Sequence, residues 1–286
     1  MRADVDRRFI YALVAIVVIV PLLKPLNLPI AISNEVRQAY EVLESVPDGA
    51  TVLIGFDYEP GSVSEMNPQA IAILGILARK NVKVVAFTSF PVSGPFAETC
   101  LENVYGKLGK VYGEDYVNLG YYAGAEASLA AFCENPANVF KADYRGNSLS
   151  NLPIMAGIKG IGDFALAITL NDGVGTGSNT EMWVRQVNIS HGKQLLLGVT
   201  AVMAATNMAY VNSKNAAGIL VGLKAAAELE KLSGIPGRAT SAMDALSLGH
   251  LLVIAMIILG NIALLQSKKN QGSRCSKTVA KGGSIE

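Results

Sequence analysis

The residues best suited to chemistry follow a buried-looking run of the chain. Leu166-Ala-Ile-Thr-Leu-Asn-Asp-Gly-Val-Gly-Thr-Gly-Ser-Asn-Thr-Glu181 reads as a strand, a glycine-rich turn and a helix opening near Asn179. In an α/β domain such a turn aims its amides, and the helix N-terminus, at whatever occupies the crevice. Gly173, Gly175, Gly177 and Ser178 would then cradle a ligand, with Asn171 and Asp172 at the strand's carboxyl end. A nucleotide- or phosphate-binding enzyme is the activity this would serve. The turn lacks the Lys-Ser/Thr of a P-loop and the GxGxxG spacing. Asp172 also opposes phosphate, and a plain strand-to-helix turn explains the glycines more simply.

Other strand ends should converge on the same edge. They bring Asp57 and Glu59, Ser89 and Ser93, and Asn207. Asp57 and Glu59 could act as an acid/base pair or hold a divalent cation, although carboxylates after a strand more often bond nearby turn amides. The edge lacks histidine: His191 falls near the opposite edge, which argues against a Ser-His-Asp triad. No Cys/His cluster suggests a metal, and no cofactor is indicated. Cys100 and Cys133 read as buried thiols on apolar helix faces.

The elements that would position these groups alternate. Helical spacing is expected over 35–46, 64–79, 95–108, 124–132, 179–188 and 213–232. Strands are expected over 51–56, 82–88, 115–119, 163–170 and 194–203. Residues 135–162 break the pattern, with short helical turns expected near 152–156. The expected fold class is α/β: a Rossmann-like, mostly parallel sheet flanked by helices, with one transmembrane helix at each end. The helix over 213–232 is apolar or small nearly all round, so Gly218 and Gly222 would form a close subunit interface or pack on the sheet.

Hydrophobic residues make up 51% of the 286 and charged residues 16%, a low charge content for a water-soluble domain. Two apolar segments supply the excess. Residues 1–30 are expected to form an N-terminal anchor, with a cleaved signal as the alternative, 31–233 an extracytoplasmic domain, 234–244 a linker, 245–266 a second transmembrane helix and 267–286 a basic tail. Lys268, Lys269, Arg274, Lys277 and Lys281 place the tail in the cytoplasm, and Arg2, Arg7 and Arg8 place the N-terminus there too. The partners expected are membrane lipid and further copies or subunits of a membrane complex. A net charge of +1 gives no reason to expect nucleic acid.

Two resemblances bear on activity. Glu35 to Gly94 runs as helix, apolar strand, Glu59-Pro-Gly-Ser62, helix, apolar strand and Ser93-Gly94. That resembles the opening of membrane-bound serine peptidases of the signal-peptide-peptidase A and ClpP-like type. The resemblance implies Ser93 as nucleophile, but only Gly61 stands where that family has a Gly-Gly oxyanion pair, and no lysine or histidine base is clearly placed. Gly218 to Glu230 also resembles a stretch of uncharacterised prokaryotic membrane-anchored α/β proteins, from which no activity follows. The expectation is a membrane-anchored binding or assembly module without catalysis. A serine hydrolase using Ser93 and a phosphate-binding enzyme are the alternatives.

Overall fold

The structure, a computed structural model, describes residues 7–173, 180–235 and 237–281, with side chains through residue 265. Two compact units are present: Pro29–Thr240, and Met1–Leu28 together with Ser241–Glu286. Gly175, Gly177 and Ser178 of the glycine-rich turn lie outside the described residues.

The first unit is built on β1 (Thr51–Asp57), β2 (Lys83–Thr88), β3 (Tyr116–Tyr121), β4 (Leu166–Asn171), β5 (Leu195–Val199) and β6 (Gly218–Val221). These form a single parallel sheet in the order β3-β2-β1-β4-β5-β6. Both faces are covered, which is why the strands are apolar throughout rather than alternating. On one face lie α2 (Asn34–Ser45), α3 (Val63–Arg79), α4 (Gly94–Val104) and α8 (Gly222–Ser233). On the other lie α5 (Ala125–Glu134), the short α6 (Thr180–Trp183) with a π-turn over Val184–Ile189, and α7 (Ala204–Asn212). The chain builds outward from β1 to β3, then returns to lay β4 against the other side of β1. The carboxyl ends of β1 and β4 therefore flank the topological switch point, where doubly wound sheets open a crevice.

The sheet has six strands where five are expected. Gly218-Ile-Leu-Val221 pairs in parallel with β5, Leu196 opposite Gly218 and Val199 opposite Val221. The expected helix over 213–232 cannot run through it, because Gly222 has φ +64, a left-handed conformation that breaks a right-handed helix. The interface assigned to Gly218 and Gly222 loses its premise, since the two share no helix face. Gly218 instead lets the edge strand meet α2, where a Cβ would lie 3.1 Å from Ala39 Cα. The expected strand over 194–203 also ends early, at Val199, and gives way to a 3-10 turn over Ala201–Met203 and α7. Within 135–162 the chain makes 3-10 turns at Pro136–Asn138, Leu149–Asn151 and Pro153–Met155, the last near the expected position.

The second unit holds α1 (Arg7–Leu23) and most of α9 (Arg238–Lys281). Among the described residues one helix is long and apolar enough to cross a membrane: α9 over Arg238–Leu265, 28 residues with mean hydropathy 2.4 in its best window, none of which is buried. At 1.5 Å per residue it spans about 42 Å. The 17 residues of α1 reach about 25 Å, short of the hydrocarbon thickness of about 30 Å. The helix starts at Arg238, so most of the expected 234–244 linker is helical. Glu230 caps that start, accepting from the backbone of Ala239 and Thr240 and from the Thr240 hydroxyl.

Asp244 ties the loop after α1 to α9. Its carboxylate accepts the consecutive backbone N–H groups of Leu26, Asn27 and Leu28 at 2.8, 2.9 and 3.1 Å. Asn27, at φ +53, bends the loop so that the three donors point one way. The less exposed positions of α1, Ile10, Leu13, Val17 and Pro21, recur every three or four residues, as do Ala245, Gly249, Leu252 and Met256 on α9. Those are the stripes expected of helices that are partly covered along one side.

Candidate functional site

The site is built outward from β1. Side chains alternate along a strand, so Leu53, Gly55 and Asp57 face α5 and α6 while Val52, Ile54 and Phe56 face α3. Gly55 leaves a gap that Trp183, the sole tryptophan, fills. A Cβ at Gly55 would lie 2.3 Å from Trp183 Cζ2. The indole stacks on Phe87, with centroids 5.5 Å apart and planes 13° from parallel. In that position Trp183 Nε1 donates to Asp57 Oδ2 at 2.9 Å.

From the other side, the backbone N–H and hydroxyl of Ser89, at the end of β2, donate to Asp57 Oδ1 at 2.6 and 2.7 Å. Asp57 is wholly buried. Burial pushes its pKa from the ordinary 3.8 up to about 6, against the pull of the Ser89 and Trp183 hydrogen bonds and with a small addition from the Asp172 charge. Beside it, Tyr122 is buried and its hydroxyl has no hydrogen-bond partner among the described residues. Burial, and then the Asp57 charge, hold that phenol well above the ordinary tyrosine range.

Across the switch point, Asp172 Oδ2 accepts the Glu59 N–H at 2.7 Å and so joins the turns that follow β4 and β1. Asn171 donates through Nδ2 to Thr180 Oγ1 at 3.1 Å, which pins the end of β4 to the first residue of α6. Gly173 has φ +72, and the Met203 side chain lies directly on it, with Cε 2.4 Å from where a Cβ would be. Asn207 on α7 donates to the Met203 carbonyl at 2.9 Å, and its Oδ1, fully buried, has no partner among the described residues.

The residues singled out from sequence thus divide. Asp57 meets Ser89 directly, Asp172 meets Glu59 through its backbone, and Gly173 and Asn207 share Met203 as a neighbour. Ser93 stands apart. It is fully buried, opens α4, and gives its hydroxyl to the Tyr58 carbonyl. A serine so placed cannot be reached by a peptide without rearrangement. Cys100 and Cys133 are free, buried thiols that burial pushes up to about 12. His191 bonds the Gln186 carbonyl and Glu134, ahead of β5 and so at the amino ends of the strands. Among the described residues no group of His, Cys, Asp and Glu is arranged to hold a metal.

Trp183 and Tyr122 join the site only through the fold, although the sequence carries a signal for the first. A glycine inside an apolar strand marks close approach by another group, and a single tryptophan after the glycine-rich turn is a natural candidate for that group. An open groove lies elsewhere, about 640 Å³ along α4, lined by Pro95, Glu98, Thr99, Glu102, Lys107 and Tyr144. Its two glutamates are tied to Arg145, which also covers the Tyr112 ring at 3.6 Å. That is a stabilised surface rather than a reactive one.

No family model matches the chain, and no curated protein does. Among solved structures it is similar to a trehalose-6-phosphate synthase, at 12% identity and a TM-score of 0.29, over 82% of this chain and 45% of that one. The chain thus spans less than half the length of that enzyme, and a likeness so slight bears on neither fold nor activity.

Proposed function

We propose that the chain is a two-pass membrane protein that holds an α/β binding module on the outer face and takes a ligand at the strand-end crevice without transforming it. The observation that carries this reading is α9, whose apolar surface is exposed along the whole candidate span. Exposed apolar surface of that length calls for lipid as its neighbour. In this reading α1 makes the other pass, with Arg7, Arg8 and Lys24 reaching to the interfaces to make up its length.

The Asp244 clasp supports the pairing. It ties the loop leaving α1 to the start of the apolar run of α9, so the two helices depart from one point. The basic residues that follow the apolar run of α9, Lys268 to Lys281, favour the cytoplasm for that end of the chain. Binding rather than catalysis is supported by the engagement of the crevice carboxylates, Asp57 with Ser89 and Trp183 and Asp172 with Glu59, and by the burial of Ser93 against Tyr58 away from them. Assembly with further copies or subunits belongs to the same reading. It would use exposed apolar surface, such as Val202 at 85% exposure, rather than Gly218 and Gly222.

The test is a membrane-impermeant maleimide applied to intact cells. A cysteine introduced at exposed Lys107 should label, and the native Cys275 should label only after permeabilisation. The reverse pattern overturns the orientation. Release of the protein by an alkaline carbonate wash overturns the anchoring itself.

A further inference from the structure

A second polar site lies on the opposite face of the sheet, at the carboxyl end of β5. Gln69 of α3 is fully buried, and its Nε2 donates to the carbonyls of Val199 and Gly222 at 3.0 and 3.1 Å. Those two bonds determine which end of the amide is oxygen. Gln69 Oε1 is then left without a partner among the described residues, and so is the buried Thr200 Oγ1. Leu196 packs with the α3 cluster, and Gly198 and Thr200 follow it at strand spacing. The placement of Gly198 agrees, since a Cβ there would lie 2.8 Å from Gln69 Oε1.

Glu65 completes the group one turn back on α3, at the i−4 position that shares a face with Gln69. Its Oε2 accepts the Ala201 N–H at 2.9 Å and would lie 2.9 Å from a Cβ at Gly222. An amide oxygen, a hydroxyl and a carboxylate therefore share one neighbourhood, with Gln69 Oε1 and Leu170 Cδ2 packed over Gly198 and Glu65 Oε2 packed over Gly222. These three candidate ligand atoms are all oxygen, and the nearby Met66 Sδ lies against Gln69 Nε2 at 3.9 Å. Buried acceptors left without a donor are costly enough that native proteins nearly always supply them with something.

We propose that Gln69 Oε1, Thr200 Oγ1 and Glu65 form a binding site for a monovalent alkali cation. A hard cation takes oxygen ligands, and the absence of nitrogen or sulfur from this group argues against a transition metal. One carboxylate among neutral oxygens suits a single positive charge, whereas calcium sites gather several carboxylates. The ion would hold α3, the end of β5 and the Gly222 turn together. It would thereby brace the Ala201–Met203 turn, from which Met203 covers Gly173. The site is separate from the switch-point crevice and stands whether or not that crevice binds a ligand.

The experiment is thermal unfolding of the full chain in dodecyl maltoside with KCl or NaCl against choline chloride at equal ionic strength. An ion held with a Kd of about 5 mM should, at about 100 mM, raise Tm by roughly 4–7 °C over choline. Thr200→Val keeps the shape and removes the hydroxyl, so the response should disappear. Thr200→Ser should retain it, and keeps the test decisive if the valine variant fails to fold. Equal Tm in all three salts overturns the proposal, and is the result if a water fills the site instead. A full response in folded Thr200→Val, or a response to micromolar calcium and to neither alkali ion, overturns it as well.

Discussion

Asp57 should make the protein less stable as pH rises, and the size of the effect follows from its surroundings. Its pKa is about 6 in the fold against an ordinary value of 3.8. The folded state thus binds this proton more tightly than the unfolded chain does. Below about pH 3 both states are protonated and the group costs nothing. As pH rises through about 6 the buried carboxyl ionises, and the full penalty is reached near pH 7. At 1.36 kcal/mol per pH unit the difference comes to about 3 kcal/mol. Asp57→Asn removes the charge but turns one amide N–H toward Ser89 or Trp183, both donors, a mispairing that costs about 1–3 kcal/mol at every pH. The quantity to follow is therefore the difference in unfolding free energy between variant and wild type, in which other titrating groups cancel. Urea titrations from pH 4 to 7.5, read by Trp183 fluorescence in detergent, should show that difference moving by about 2.5 kcal/mol in favour of the variant. A difference that stays flat across the range would falsify the assignment of a raised pKa to Asp57.

Three further outcomes are expected. Gly55→Ala places a methyl inside the Trp183 ring, so it should lower stability by about 1–3 kcal/mol or more and red-shift tryptophan emission; an unchanged spectrum would mean the indole does not lie over the strand. Ser93→Ala leaves the buried Tyr58 carbonyl without its donor and should cost about 1–3 kcal/mol. Well-folded wild type should also resist a fluorophosphonate probe, and labelling lost in that variant would restore the hydrolase reading. Asp244→Ala frees three consecutive N–H groups, so limited proteolysis should cut near residues 24–28 faster while the protein stays in the membrane. Unaltered cleavage would show that the clasp does not hold that loop.

Much of the fold can be read along the chain because its causes are local. Thr51–Asp57 and Lys83–Thr88 are apolar runs bounded by turn residues, and Val63–Arg79 carries the 3.6-residue period between them. Such signals depend on neighbours in sequence and imply a parallel, doubly wound sheet. The strand ends that carry Asp57, Ser89 and Asn171 follow from the same alternation, and α9 is legible from its uninterrupted hydropathy. Elsewhere the deciding contacts are distant in sequence. Gly218–Val221 is only four residues in an alanine-rich stretch, and it is a strand because β5 and α2 lie beside it. Ser93 looks like a free hydroxyl until Tyr58, 35 positions earlier, is folded against it.

Residue types and their order limit which groups could serve: carboxylates, amides and hydroxyls after strands, with an apolar helix at one end. Tertiary structure alone decided what each became. Asp57 holds its proton to about pH 6 because Trp183, 126 positions away, Ser89 and the packed core exclude water from around it. Burial and hydrogen bonding act between groups that folding brings together, and a linear order of residues carries neither the distances nor the loss of solvent that set their strength.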